Sequence, residues 1–257
     1  DSDTAYLSAD EAGEPLHLAR AIIDADVVLS IGSFGYDASL CGRSPEGELW
    51  PSFARQTQCQ KFIKALLKNR QRALHYWRDE SEQINAQLGI LASLRLVCGN
   101  HQTLAGAAFG FPIASIAQSK SYAKEWRPAI SARSPLTIAG IPDRSCRFVE
   151  LTRAIAAAAR VTTHDGTICI ACNMKEEPGI IFTRWRHGID LQMLLREASD
   201  SEETALLLDA LHTSLFAQAL GDRRLVLLSH LDQEFVEDLD IGYAETPDAI
   251  NRLVQQS

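Results

Sequence analysis

The sequence has no apolar run near the ~18 residues that a membrane-spanning helix needs, and no basic-then-apolar leader at its start. It therefore reads as a soluble, cytoplasmic protein with no membrane partner. Six cysteines (Cys41, Cys59, Cys98, Cys146, Cys169 and Cys172) are too thinly spread over 257 residues for a disulfide framework, so reduced thiols are expected. Cys169 and Cys172 form a CxxC, but no second CxxC completes a zinc site. Both also fall in the apolar run Thr167 to Cys172, where a strand would point residues three apart to opposite faces. A nucleophile elbow is missing, and Gly106-Ala-Ala-Phe-Gly110 lacks the acidic residue of a dinucleotide fingerprint. No lysine occurs from Asp1 to Gln60, and no histidine from Leu18 to Leu74.

What is present is an ordinary globular composition, 46% hydrophobic and 23% charged. The net charge of -8 is spread along the chain, which argues against a nucleic-acid partner. The one basic cluster, with Lys64, Lys68, Arg70 and Arg72, has the spacing of a solvated helix face. Short β-branched runs alternate with longer helical stretches, which predicts an α/β fold of two lobes with mainly parallel sheets covered by helices. Strands are expected at Asp26 to Ile31, Ile90 to Cys98, Pro112 to Ala117, Leu136 to Ala139, Thr167 to Cys172 and Arg224 to Ser229. Helices are expected at Glu14 to Ala25, Phe53 to about Leu88 with a break near Asp79, Phe148 to Arg160, Ser201 to Leu220, Asp232 to Leu239 and Pro247 to Gln255. His164-Asp-Gly166 reads as a turn. The loop from Ser33 to Ser52, rich in Gly, Ser and Pro, is long enough to carry function.

Several stretches, in order, resemble the lactate racemase family. They are Ala21-Ile-Ile-Asp-Ala-Asp-Val-Val-Leu-Ser-Ile-Gly32, then Ala139-Gly-Ile-Pro-Asp143 with the helix ending at Ala156 to Ala159, then Asp165-Gly-Thr-Ile168. Glu177-Pro-Gly-Ile-Ile-Phe182 with Trp185 follows, and then Arg224 to Ser229, Phe235 to Leu239 and Glu245-Thr-Pro-Asp-Ala249. The resemblance implies that residues 1–85 are the end of a truncated amino-terminal domain and residues 86–257 the carboxy-terminal α/β domain. It also implies racemisation or epimerisation of a small 2-hydroxy acid through a nickel pincer nucleotide, joined to a lysine of the Gly/Ser-rich loop and ligated by histidine.

Here that loop runs from Tyr36 to Pro51, and Gly42, Ser44 and Gly47 echo the family's cofactor-binding positions. The family's catalytic histidine falls nearest Tyr36 or Asp37, its tethering lysine nearest Glu46 or Glu48, and its nickel-ligating histidine near Lys61 or Phe62. Neither the imidazole's role on nickel nor the tethering amine's passes easily to other side chains, so neither metal nor cofactor is expected on this chain. The family's substrate-facing lysine falls at Thr152 or Arg153. Arg153 and Asp143 are the candidate substrate-binding residues, Arg153 as bidentate partner of a small carboxylate, unless it simply pairs with Glu150 or another acid. Pockets in open α/β sheets form beyond the carboxyl ends of strands, which groups the Ser33 to Ser52 loop, the Gly140 to Ser145 turn and Arg153 around one expected cleft. His101, after the strand end at Cys98, is a further candidate; Glu46 and Glu48 have the composition to hold a cation or a basic partner. Two readings stay open: a racemase or epimerase, and a catalytically silent relative that binds a small molecule or plays a structural role.

Overall fold

A computed structural model describes residues 3–10, 13–45, 48–99, 103–126, 129–141 and 146–256. The chain divides into two compact units, Asp1–Tyr36 with Gly42–Pro128, and Asp37–Cys41 with Ala129–Ser257.

The first unit opens on an antiparallel hairpin of β1 (Thr4–Ala9) and β2 (Pro15–Ala19), followed by one turn of helix, α1 (Arg20–Ile23). The helix expected from Glu14 is thus mostly strand. Leu16 and Leu18 alternate with His17, and burying both leucines on one side requires the two-residue period of a strand. Strand β3 (Leu29–Ser33) pairs in parallel with β6 (Ala92–Cys98), which pairs antiparallel with β7 (Leu104–Gly110). This pairing ties the segment after residue 86 to the first unit, so the units part near residue 128 and not at the division read from the sequence. Val97 and Ala108 are fully buried on the inner face of this sheet. On the outer face Leu29, Ile31, Leu96 and Phe109 are exposed.

Between β3 and β6 lie the two-residue strands β4 (Tyr36–Asp37) and β5 (Gly42–Arg43), the short α2 (Leu49–Ser52) and the long α3 (Gln56–Gln87). Helix α3 breaks at Asn69 (φ -157°, ψ 93°) rather than at Asp79. The Asn69 side chain accepts the Arg72 N–H at 3.1 Å and so caps a second helical segment. Helix α4 (Pro112–Tyr122) corrects a predicted strand. Pro112 sits where a first helical turn tolerates it, and Ser115, Ile116 and Ser119 are buried at helical spacing.

The second unit is built on four parallel strands in the order β11-β10-β9-β8: β8 (Ser134–Gly140), β9 (Thr162–Ala171), β10 (Arg224–Leu228) and β11 (Gly242–Tyr243). Alternation sorts the two faces. Ile168, Ile170, Leu225 and Leu227 pack with α5 (Phe148–Ala158), α6 (Ile180–Arg186), α8 (Thr204–Leu220) and α9 (Gln233–Asp238). Cys169, Val226 and Leu136 face Ile250 of α10 (Pro247–Gln256) instead. Cys169 and Cys172 therefore lie in different clusters, and all six thiols are free.

Phe148, Phe182, Trp185 and Phe216 form an aromatic knot with neighbouring ring centroids 4.7 to 6.2 Å apart. Helix α7 (Leu191–Ser199), capped by the Asp190 carboxylate on the Met193 N–H at 2.9 Å, was not anticipated. Nor is His164-Asp-Gly166 a turn. It lies inside β9, and Gly166 is required because a Cβ there would come within 2.7 Å of the Pro135 carbonyl. No helix among the described residues is long and apolar enough to cross a membrane.

Candidate functional site

The Gly/Ser-rich loop is organised by buried arginines. Arg95 occupies an inward position of β6, where burial strips its guanidinium of water and obliges it to find an acid. That acid is Glu48, which accepts Arg95 Nη1 at 2.6 Å and Nη2 at 2.8 Å, with both side chains under 8% exposed. Arg43 joins from 4.0 Å and lies over the Trp77 ring, 4.8 Å from its centroid. Burial lowers the Arg43 pKa; the charges of Arg95 and Arg78 act the same way and those of Glu48 and Glu82 oppose them. Gly42 sits against this group, since a Cβ on it would stand 3.1 Å from Arg78 Nη2. Ser44 is buried, and its N–H donates to the Gly35 carbonyl at 3.3 Å. Glu46, Gly47, His101 and Asp143 lie outside the described residues.

In the second unit, Asp37 forms a comparable closed group. Its Oδ1 accepts Ser39 N–H (2.8 Å), Ser39 Oγ (2.5 Å) and Leu40 N–H (3.3 Å), while Oδ2 accepts Arg153 Nε at 2.8 Å. The Asp37 side chain is 5% exposed and that of Arg153 33%. Glu150 is engaged elsewhere, accepting the Arg147 N–H and its guanidinium, each at 3.0 Å, so the acid that holds Arg153 is Asp37. His212 of α8 senses the same charges. Burial first, then Arg153, push its pKa below the ordinary 6.5, with Asp37 and Glu150 pulling the other way, and the imidazole is therefore neutral at pH 7.

The depressed His212 pKa fixes a sign. Between the folded and the ordinary pKa the unfolded chain binds more protons, so His212 contributes stability above pH 6.5 that is lost as pH falls through its folded value. The thermal midpoint should fall on acidification below pH 6.5, and His212→Gln should flatten that slope. An unchanged slope in differential scanning calorimetry would remove His212 from this account.

A strand-end cavity lies inside the second unit. Among the described residues, of the groups expected around one cleft only Ile141 of the Gly140 to Ser145 turn lines it, and Arg153 and the Ser33 to Ser52 loop do not. The cavity, of about 580 Å³, opens beyond the carboxyl ends of β8, β9, β10 and β11, lined among others by Cys172, Asn173, Ser229, His230, Tyr243 and Glu245. Its side chains are hydrogen-bonding rather than strongly cationic, which suits a polar, uncharged group better than a carboxylate.

The resemblance assigns a nickel pincer nucleotide to the loop, and the residues present do not fit it. Glu48, one of the two positions nearest the tethering lysine, is locked in a bidentate pair with Arg95, and Arg95 and Arg43 would repel an amine there. Lys61 is on the surface, paired with Glu14 at 3.2 Å. Among the described residues no three His, Cys, Asp or Glu side chains gather as metal ligands. Sequence reading missed Arg95, although an arginine between Leu94 and Leu96 in an apolar strand was the available signal.

No family model matches the sequence, and no curated protein does. The fold does match solved structures. The lactate racemase apoprotein from Thermoanaerobacterium thermosaccharolyticum superposes with a TM-score of 0.70 over 99% of this chain, at 16% identity. The chain spans 64% of the length of that protein. A protein from Thermotoga maritima matches with a TM-score of 0.63 at 11% identity, over 94% of this chain and 69% of its own. The architecture is that of the lactate racemase apoprotein, which bears out the α/β expectation.

Proposed function

Taking that fold as the premise, we propose that this chain is a lactate racemase-like protein that binds a small carboxylate without carrying out nickel-dependent racemisation. The observation that carries this reading is the pair of closed ion pairs, Glu48 with Arg95 and Asp37 with Arg153, at two of the positions that the resemblance puts nearest the family's lysine and histidine. A carboxylate engaged by arginine, as Glu48 and Asp37 both are, is a poor nucleophile and a poor proton shuttle near neutral pH, because its charge is already satisfied. Arg153 supports the binding half of the proposal. Asp37 holds Nε and fixes the guanidinium plane, and one-third of the side chain remains exposed for an anionic ligand.

Calorimetric titration with lactate and glycolate should show binding that Arg153→Ala abolishes, with circular dichroism confirming that the variant stays folded. Asp37→Asn, which keeps a hydrogen-bond acceptor but loses the charge, should weaken binding less. Incubating one lactate enantiomer with the protein, with and without nickel salt, should yield no interconversion on chiral chromatography. Intact-mass spectrometry should find no adduct on Lys61, Lys64 or Lys68; an added mass on any of them, or measurable interconversion, would restore the racemase or epimerase reading.

A further inference from the structure

Helix α3 and the β1-β2 hairpin border, within the first unit, a half-open pocket of about 630 Å³, well inside the size range of small-molecule sites. Its walls are largely apolar, with Leu16, Trp50, Phe62 and Tyr76 among them. Trp50 is 4% exposed, and its Nε1–H has no hydrogen-bond partner among the described residues. The neighbouring Trp77, just as buried, gives its own N–H to the Trp50 carbonyl at 2.9 Å. A buried indole N–H is a donor only, and leaving one unmet costs free energy.

The rim is where charge enters. The break at Asn69 restarts α3 with Asn69 as its cap, so the positive end of an 18-residue segment, 70–87, lies on the rim beside Lys68 and Arg72. The other charges lining the cavity are accounted for. Asp10 accepts the Glu14 N–H at 2.8 Å, Glu14 pairs with Lys61, and Glu80 is buried with partners of its own. No ion pair among the described residues takes up Lys68 or Arg72.

We propose that this cavity binds an amphipathic carboxylate, its apolar or aromatic body against Trp50, Phe62 and Tyr76 and its anionic head at Lys68, Asn69 and Arg72. This site is separate from Arg153 and stands whether or not the second unit binds a hydroxy acid. Three probes with one body and different heads test it in calorimetry: 4-phenylbutyrate, 4-phenylbutanol and 4-phenylbutylamine. The acid should bind one per chain at up to millimolar concentration and quench tryptophan fluorescence, the alcohol should bind roughly tenfold more weakly, as loss of one charge-assisted contact predicts, and the amine not at all. Lys68→Ala with Arg72→Ala, both exposed positions, should weaken the acid by at least that factor, whereas Arg153→Ala should leave it unchanged. Equal binding of acid and alcohol, absence of acid binding, or full affinity in the double variant would overturn the proposal.

Discussion

Replacing Glu48 by alanine should cost about 3–5 kcal/mol of folding stability, the penalty for leaving a buried arginine without its acid. Arg95 is 4% exposed and has no route to water, and Arg43, which leans on the same carboxylate, would be left facing a like charge. Urea denaturation should show the midpoint falling with little change in slope. The pair itself need not be stabilising, because its Coulomb gain is set against the desolvation of two ions. Glu48→Leu combined with Arg95→Met should therefore recover most of the loss. If Glu48→Ala unfolds at the same urea concentration as the parent, the buried pair described here does not exist in solution.

The second large effect is expected at Gly179, the residue that caps α6. A Cβ there would overlap the carboxylate of Asp209, which cannot easily move aside. Asp209 accepts the Ile181 N–H at 2.7 Å and Thr213 Oγ1 at 3.4 Å, so it serves from α8 as the cap that α6 lacks in its own sequence. Burial raises its pKa and these hydrogen bonds hold it down. Gly179→Ala should cost about 3 kcal/mol, adding a lost cap to an overpacked contact. In an Asp209→Ala background the same substitution should cost almost nothing, since the obstacle is gone. Equal costs in both backgrounds would show that Asp209 is not what Gly179 accommodates.

The second unit was largely legible in the sequence because its strands carry their own signal. Ile168 and Ile170 alternate with Cys169, Leu225 and Leu227 alternate with Val226, and the second run leads into a helix capped by Asp232, which accepts the Phe235 N–H at 3.2 Å. The first unit misled where a short apolar run was ambiguous. Pro15 to Ala19 was assigned to a helix and Pro112 to Ala117 to a strand, and in both the tertiary partner decided. The loop was located correctly, but its interior was not. Glu48 meets Arg95 across 47 residues and Asp37 meets Arg153 across 116, and local spacing carries no information about such pairings. What the sequence supplied was the absence of lysine before Lys61 and of histidine from Leu18 to Leu74; what it lacked was the knowledge that Glu48 and Asp37 had found partners.

The Glu48–Arg95 pair also constrains the mutational paths open to this chain. Introducing a lysine at position 48 would set a third cation against Arg95 and Arg43, so a variant carrying only that change would be strongly selected against through its folding. A permissive substitution at Arg95 must come first, and taken alone it strands Glu48. Both orders pass through a destabilised genotype, so the two sites are epistatic in either direction, and a library varying position 48 alone would be barren of folded lysine variants.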